Sequence, residues 1–151
     1  MNENLPIGAL LWRLTMRWRA AVDRALAPVG LTHAQYSLLA SLYGLSRSGT
    51  APSQRQLADF AELDTVYVSK LIRSLEAAGL VTRGEHPDDT RAVQLQLTST
   101  GSETIQRAIG IVRQLHEQLT APIGGPTGAR TRELAQTLRA LLGAPYEGER
   151  P

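Results

Sequence analysis

Val66, Lys70 and Arg73 fall on the helix face opposite an apolar stripe made by Val68, Leu71, Ile72 and Leu75, with Tyr67, Ser69 and Ser74 beside them. Side chains of these types on an exposed helix face suit contact with a nucleic acid. Lysine and arginine pair with phosphates, arginine also with base edges, and an unpacked valine can meet a thymine methyl. A further arginine, Arg91, closes the charged run Gly84-Glu85-His86-Pro87-Asp88-Asp89-Thr90-Arg91. On the tip of a wing an arginine has the reach for a minor groove. Ser53, Gln54, Arg55, Thr65 and Arg83 complete the candidate contacts. The opposing reading makes Lys70 and Arg73 a solvated helix face, and Arg91 an ion-paired loop residue beside Asp88 or Asp89.

Other chemistries find little support. The 151 residues contain no cysteine, which excludes disulfides and zinc-thiolate sites. His33, His86 and His116 lack metal-ligand spacing, and no phosphate-cradling glycine loop or nucleophile elbow occurs. Asp88 and Asp89 are adjacent carboxylates suited to orienting Arg91 rather than to acid–base work. No enzyme activity, catalytic residue, metal or cofactor is therefore expected. No apolar run approaches a membrane span and no secretory pattern opens the chain, so a cytoplasmic protein without membrane contact is expected.

Charge argues less clearly. The formal net charge is +2. Residues 50–98 carry five basic side chains (Arg55, Lys70, Arg73, Arg83, Arg91) against seven acidic ones (Asp59, Glu62, Asp64, Glu76, Glu85, Asp88, Asp89). A phosphate-driven binder should present a basic surface. The nucleic-acid reading thus rests on where the basic residues sit.

The elements that must position these residues are mainly helical. Ile7, Leu10, Leu11, Leu14, Trp18, Ala21, Val22 and Ala25 form one helical stripe over residues 6–27, ended by Pro28 and Gly30. Thr32 and Gln35 form a capping box before a helix with Leu38, Leu39, Leu42, Tyr43 and Leu45 on nearly every side, predicted to be central. A Ser/Gly-rich loop over 44–52 leads to a second capping box, Ser53 with Gln56, and an inward face of Leu57, Ala58 and Ala61. Asp64 caps the next helix, which Gly79 terminates. Residues 80–83 and 93–97 read as short strands flanking the charged loop. Ile105, Ile109, Val112, Leu115 and Leu119 mark another long helix behind a cap at Thr98 or Thr100. After Pro122 to Pro126, Leu134, Leu138, Leu141 and Leu142 mark the last helix, and residues 147–151 read as a disordered tail. The expected fold is a single domain over 1–151, mainly α with a small two- to three-stranded β-wing. Within it lie a winged helix-turn-helix over 31–98 and dimerisation helices over 6–28 and 99–145. The apolar stripes at both ends exceed what the central segment can cover, which predicts a homodimer.

In this order and spacing, Gly30-Leu31-Thr32, Gln56-Leu57-Ala58, Leu75-Glu76-Ala77-Ala78-Gly79-Leu80-Val81, Asp89-Thr90-Arg91-Ala92, Leu95-Gln96-Leu97-Thr98 and Gly101 carry a resemblance. The chain resembles the multiple-antibiotic-resistance regulator (MarR) family of winged helix-turn-helix transcription factors, best from residue 30 to 101. The resemblance implies an obligate homodimer intertwined through the terminal helices, with the helix over 64–78 in the major groove. It also implies Arg91 in the minor groove, its guanidinium held by Asp89. The partner would be a near-palindromic double-stranded DNA operator, released when a small aromatic or phenolic effector binds. Family pockets lie in the crevice where Trp12, Met16, His33 and Tyr36 would fall, although core and interface packing explains the same residues. One departure is Gly84, where many members carry a second basic residue after the position of Arg83, so the wing here should make fewer phosphate contacts. The expected function is transcriptional repression. The rival is a winged-helix protein–protein interaction module without specific DNA binding, which the acidic balance of residues 50–98 favours.

Overall fold

The structure, a computed structural model, describes residues 4–49, 51–86 and 88–144, apart from the side chains of His86, Asp89, Thr90 and Ala92. The tail expected over 147–151 lies outside the described residues. The chain forms two compact units, residues 1–112 and 113–151.

In the first unit α1 (Ile7–Leu26) ends in a 3-10 turn, Ala27–Val29, and Gly30 follows at φ 75°. The Leu31 N–H then reaches back to the Leu26 carbonyl at 3.3 Å, closing the helix end. α2 (His33–Ser46) opens with the full capping box: the Gln35 N–H donates to Thr32 Oγ1 (3.2 Å) and the Thr32 N–H to Gln35 Oε1 (3.0 Å). It runs on through Gly44 to Ser46, so the loop starts later than the glycine suggested. Leu38, Leu39 and Leu42 are fully buried at the centre of the core. Packed with them are Val22 and Leu26 from α1, Leu57 from α3 (Gln54–Ala61), and Val68, Ile72 and Leu75 from α4 (Thr65–Ala77). Each such side chain contributes roughly 1.5–3 kcal/mol by leaving water.

β1 (Val81–His86) and β2 (Asp89–Leu97) pair antiparallel, from Val81↔Leu97 to Glu85↔Val93. The ladder corrects the expectation of two short strands around a long charged loop. Most of Gly84 to Arg91 is strand, and Asp88, between the two strands, lies in a turn. Thr82, Arg83, Gly84 and Glu85 are all exposed, so this stretch of β1 needs no apolar residues on either face and lacks the period-two signal. The register shifts beyond Glu85, since His86 pairs with Asp89; Thr90, Arg91 and Ala92 fall within that shift. The sheet is two-stranded. What the sequence allowed as a third strand is an isolated bridge, Ser53↔Gln94, beside a hydrogen bond from the Leu95 N–H to the Pro52 carbonyl (2.9 Å).

α5 (Ser99–Thr120) starts at a junction built by Thr98. Its Oγ1 accepts from the Gly101 N–H (2.9 Å), its hydroxyl donates to the Gly79 carbonyl (2.6 Å), and its N–H donates to the Leu80 carbonyl (3.1 Å). Of the two caps considered, Thr98 is the one used. A Cβ on Gly101 would sit 2.8 Å from the Leu80 carbonyl carbon and closer still to its oxygen, so only glycine fits. Ile105, Ala108 and Val112 bury the inner side of α5.

The second unit holds the end of α5, a 3-10 turn at Ala121–Ile123, and α6 (Ala129–Leu142). Gly124 and Gly125, at φ 102° and 82°, make the reversal. The Thr131 hydroxyl donates to the Gly125 carbonyl (2.6 Å) and secures the start of α6. No described residue of α6 is buried: Leu134, Leu141 and Leu142 are exposed, Leu142 at 84%.

Candidate nucleic-acid interface

α3 and α4 form the helix-turn-helix. The turn between them carries Glu62 at φ 53°, the one non-glycine residue at positive φ among those described. The Leu63 N–H bonds the Ala58 carbonyl (3.0 Å) across it, which closes α3 and redirects the chain into α4. Asp64 Oδ1 accepts from the N–H groups of Val66 (2.9 Å) and Tyr67 (3.1 Å), satisfying donors that begin α4. At the other end the Leu80 N–H reaches the Leu75 carbonyl (3.0 Å) and the Gly79 N–H the Glu76 carbonyl (2.9 Å), with Gly79 at φ 74°. Both ends of α4 are thus closed.

With Val68, Ile72 and Leu75 fully buried, the rotation of α4 is set. Thr65, Val66, Tyr67, Lys70 and Arg73 are exposed, Val66 to 63%, and Ser69 is half-buried. Val66, Lys70 and Arg73 recur at i, i+4 and i+7, a single outward stripe. On one flank lie Ser69 and Glu76. Arg73 Nη2 donates to Ser69 Oγ (3.1 Å), and Arg83 of β1 pairs with Glu76. On the other flank lie Tyr67 and Ser74, and Ser74 Oγ accepts from Gln35 Nε2 of α2 (3.1 Å). The wing and α2 therefore grip α4 from opposite sides and leave the stripe between them open.

The candidate contacts fare differently. Gln54 is half-buried and Arg55 exposed at the start of α3. Ser53, exposed to only 8%, is spent on structure: its N–H donates to Gln56 Oε1 (2.8 Å) and its Oγ accepts from the Gln56 N–H (3.1 Å). A buried capping hydroxyl that also begins the bridge to Gln94 is poorly placed for DNA. Arg83 is turned toward Glu76, and a wing contact there would have to displace an existing ion pair. Arg91 is exposed on β2. The expected grip of Asp89 on Arg91 lies outside the described side chains. Phe60, the single phenylalanine, is 59% exposed on α3, which the sequence reading passed over. Its offset from the Leu57/Ala58/Ala61 face was the available signal.

Trp12, Met16, Arg19 and Asp23 follow one another along a single stripe of α1 at i, i+4, i+7 and i+11. Trp12 is 65% exposed and Met16 half-buried. At the foot of the stripe the His33 N–H donates to Asp23 Oδ1 (2.6 Å). Burial lowers the His33 imidazole pKa below its ordinary value, Arg19 pushes the same way, and Asp23 opposes both. Burial also raises the phenol pKa of half-buried Tyr36. Among the described residues no helix is long and apolar enough to cross a membrane.

This is a winged helix-turn-helix, a DNA-binding architecture. Residues 29–92 match the model of the MarR family. The chain is 36% identical over 120 residues to the uncharacterized HTH-type transcriptional regulator YdcH of Bacillus subtilis (strain 168), covering 80% of this chain and 82% of that protein. A mutant of MarR from E. coli, solved in complex with operator DNA, superposes with a TM-score of 0.80 at 25% identity, over 93% of this chain and 96% of that one. CouR from Rhodococcus jostii RHA1, bound to p-coumaroyl-CoA, gives a TM-score of 0.77 at 28% identity, over 93% of this chain and 94% of that one. The chain belongs to the MarR family of winged helix-turn-helix transcriptional regulators, which are not enzymes.

Proposed function

We propose that this regulator is a cytoplasmic homodimeric repressor that binds a pseudo-palindromic operator and is released by a small aromatic or phenolic effector. The observation that carries the DNA reading is the open stripe of Val66, Lys70 and Arg73 on a helix whose other face buries Val68, Ile72 and Leu75 and whose two ends are closed. α4 would enter the major groove, with Arg55, Thr65, Tyr67 and Ser69 around its leading end, and Arg91 would reach the adjacent minor groove. Residues 31–98 act as the reading head. Residues 6–28 and 99–145 supply the dimer contacts, supported by exposed Ile7, Leu10 and Leu14 on α1 and exposed Leu134, Leu141 and Leu142 on α6. Two heads then address half-sites about 10 base pairs apart or a small multiple of that.

The operator complex of MarR and the ligand complex of CouR support carrying both activities over to this chain. For the effector, the stripe Trp12–Met16 leading to His33 and Tyr36 offers aromatic, thioether, imidazole and phenol groups, a set suited to a flat polar-edged ring.

A mobility-shift titration on DNA from the protein's own upstream region tests the proposal. Sequence-preferring binding that weakens steeply with salt is expected, and Arg73→Ala should cost about 1–3 kcal/mol of affinity. Arg91→Ala should flatten the salt slope by about one unit. Absence of binding at ~50 mM salt would favour the protein-interaction module, which the pairing of Arg83 with Glu76 also suits.

A further inference from the structure

Gln35 is engaged at both ends of its amide. Its Oε1 completes the capping box on the Thr32 N–H, and its Nε2 donates to Ser74 Oγ on α4. Ser74 in turn donates its hydroxyl to the Leu71 carbonyl (2.7 Å), one turn back on the same helix. Two residues before Gln35, the His33 N–H is held by Asp23 Oδ1 of α1. One helical turn, the first of α2, therefore carries a polar tie to α1 and a polar tie to α4. Neither tie is demanded by the core, which is already filled by Val22, Leu26, Leu38, Val68 and Ile72. The capping box does not demand the second tie either, because the Oε1 alone satisfies it.

We infer that Gln35 is a positioning residue: it holds α4 through Ser74 while Asp23 anchors the same turn to α1, so a displacement of α1 is passed to the reading face. The DNA consequence rests on the function proposed above; the mechanical link does not. Arg73 lies next to Ser74, so a shift of the helix at Ser74 moves the outward stripe directly. The Trp12–Met16–Arg19–Asp23 stripe ends at this tie, and whatever moves α1 along that stripe acts on α4 through the first turn of α2.

Amide hydrogen exchange on the full-length protein tests the link without DNA. Ser74→Ala leaves the capping box intact and suits a helix, yet should speed exchange of the amides of residues 71–77 by roughly threefold to tenfold, the worth of one hydrogen bond. Ser74→Thr, which keeps the hydroxyl, should restore it. Asp23→Ala should speed exchange over the same residues in the parent and have no such effect in the Ser74→Ala background. Gln35→Met should likewise add nothing on α4 once Ser74 is alanine. Equal effects of Asp23→Ala in both backgrounds, or unchanged exchange in Ser74→Ala, would overturn the inference. Affinity for the upstream DNA should fall by roughly threefold to tenfold in Gln35→Met, a residue off the reading face. A parent that binds no such DNA refutes the proposed function, while the exchange cycle still decides the link.

Discussion

The segment from α2 to β2 and the helices at the two ends of the chain obey different rules. In the first, every element has a buried side: Leu38, Leu39 and Leu42, then Leu57 and Ala58, then Val68, Ile72 and Leu75, then Val81 and Leu95. Its helix starts are capped by Thr32, Ser53 and Asp64. At the ends, Ile7, Leu10, Trp12 and Leu14 of α1 stay exposed, α6 buries nothing among its described residues, and neither Pro6 nor Gly128 caps with a side chain. Such helices are marginal alone, because helical stability in proteins comes mostly from packing an apolar face. The central segment is specified within one chain, whereas the ends leave apolar side chains exposed, as the proposed dimer requires.

The largest effect should come at a glycine where α5 meets the central segment at Leu80, set against a glycine on the outer end of α1. Gly101→Ala drives a methyl into the Leu80 carbonyl and should cost about 3 kcal/mol in urea unfolding, the upper end of overpacking costs. Gly8→Ala in α1 meets nothing within 4 Å and should be neutral or stabilising by up to about 1 kcal/mol. If both destabilise alike, the contrast fails.

Next, Leu14→Glu places a charge on the exposed stripe of α1. The proposed dimer should weaken by about 2 kcal/mol, roughly thirtyfold, in sedimentation equilibrium, with the far-ultraviolet circular dichroism of the chain largely kept. A dimer unchanged by Leu14→Glu would remove this part of α1 from the interface.

The two regions also differed in how far the sequence disclosed them. Capping boxes at Thr32/Gln35 and Ser53/Gln56, the cap at Asp64 and the stop at Gly79 were legible, because each is a local hydrogen-bond pattern written in a few adjacent residues. The outward stripe of α4 was legible because the core stripe beside it is clean. The wing was misjudged in length: residues 82–85 of β1 are exposed on both faces and carry no alternation, unlike residues 93–97. The left-handed Glu62 escaped notice because glycine is the residue that usually marks such a turn. The ties Gln35–Ser74 and Arg83–Glu76 join residues distant in sequence, or in different elements, and no local pattern encodes them. The same holds for the buried fate of Ser53, whose bridge to Gln94 depends on where β2 arrives.

Within the central segment, Glu62→Gly should raise stability by about 1 kcal/mol in urea unfolding by relieving the left-handed backbone at the helix-turn-helix corner. A loss instead would mean the Glu62 side chain supplies more than its backbone costs.

The smallest effect lies where α1 meets α2. Because His33 is held below its ordinary pKa of 6.5, the unfolded chain takes up a proton there before the folded one does. Stability should therefore decline as pH falls through about 6.5 and level off below the depressed folded value. His33→Gln should flatten that part of the profile of thermal midpoint against pH. An unaltered profile would show that other groups set the acid limb.

A two-stranded ribbon has two open edges, and an unpaired edge is a template on which a stray chain can build amyloid-like sheet. Here the edge of β2 is stoppered where the Leu95 N–H is claimed by Pro52, a residue with no N–H of its own to offer an intruder. The edge of β1 is left open but carries Arg83 and Glu85 around Gly84, charges that discourage stacking. Beyond them the register shift at Glu85 and His86 interrupts the ladder. The junction that seats α3 against the wing thus also closes one edge of the ribbon to such pairing.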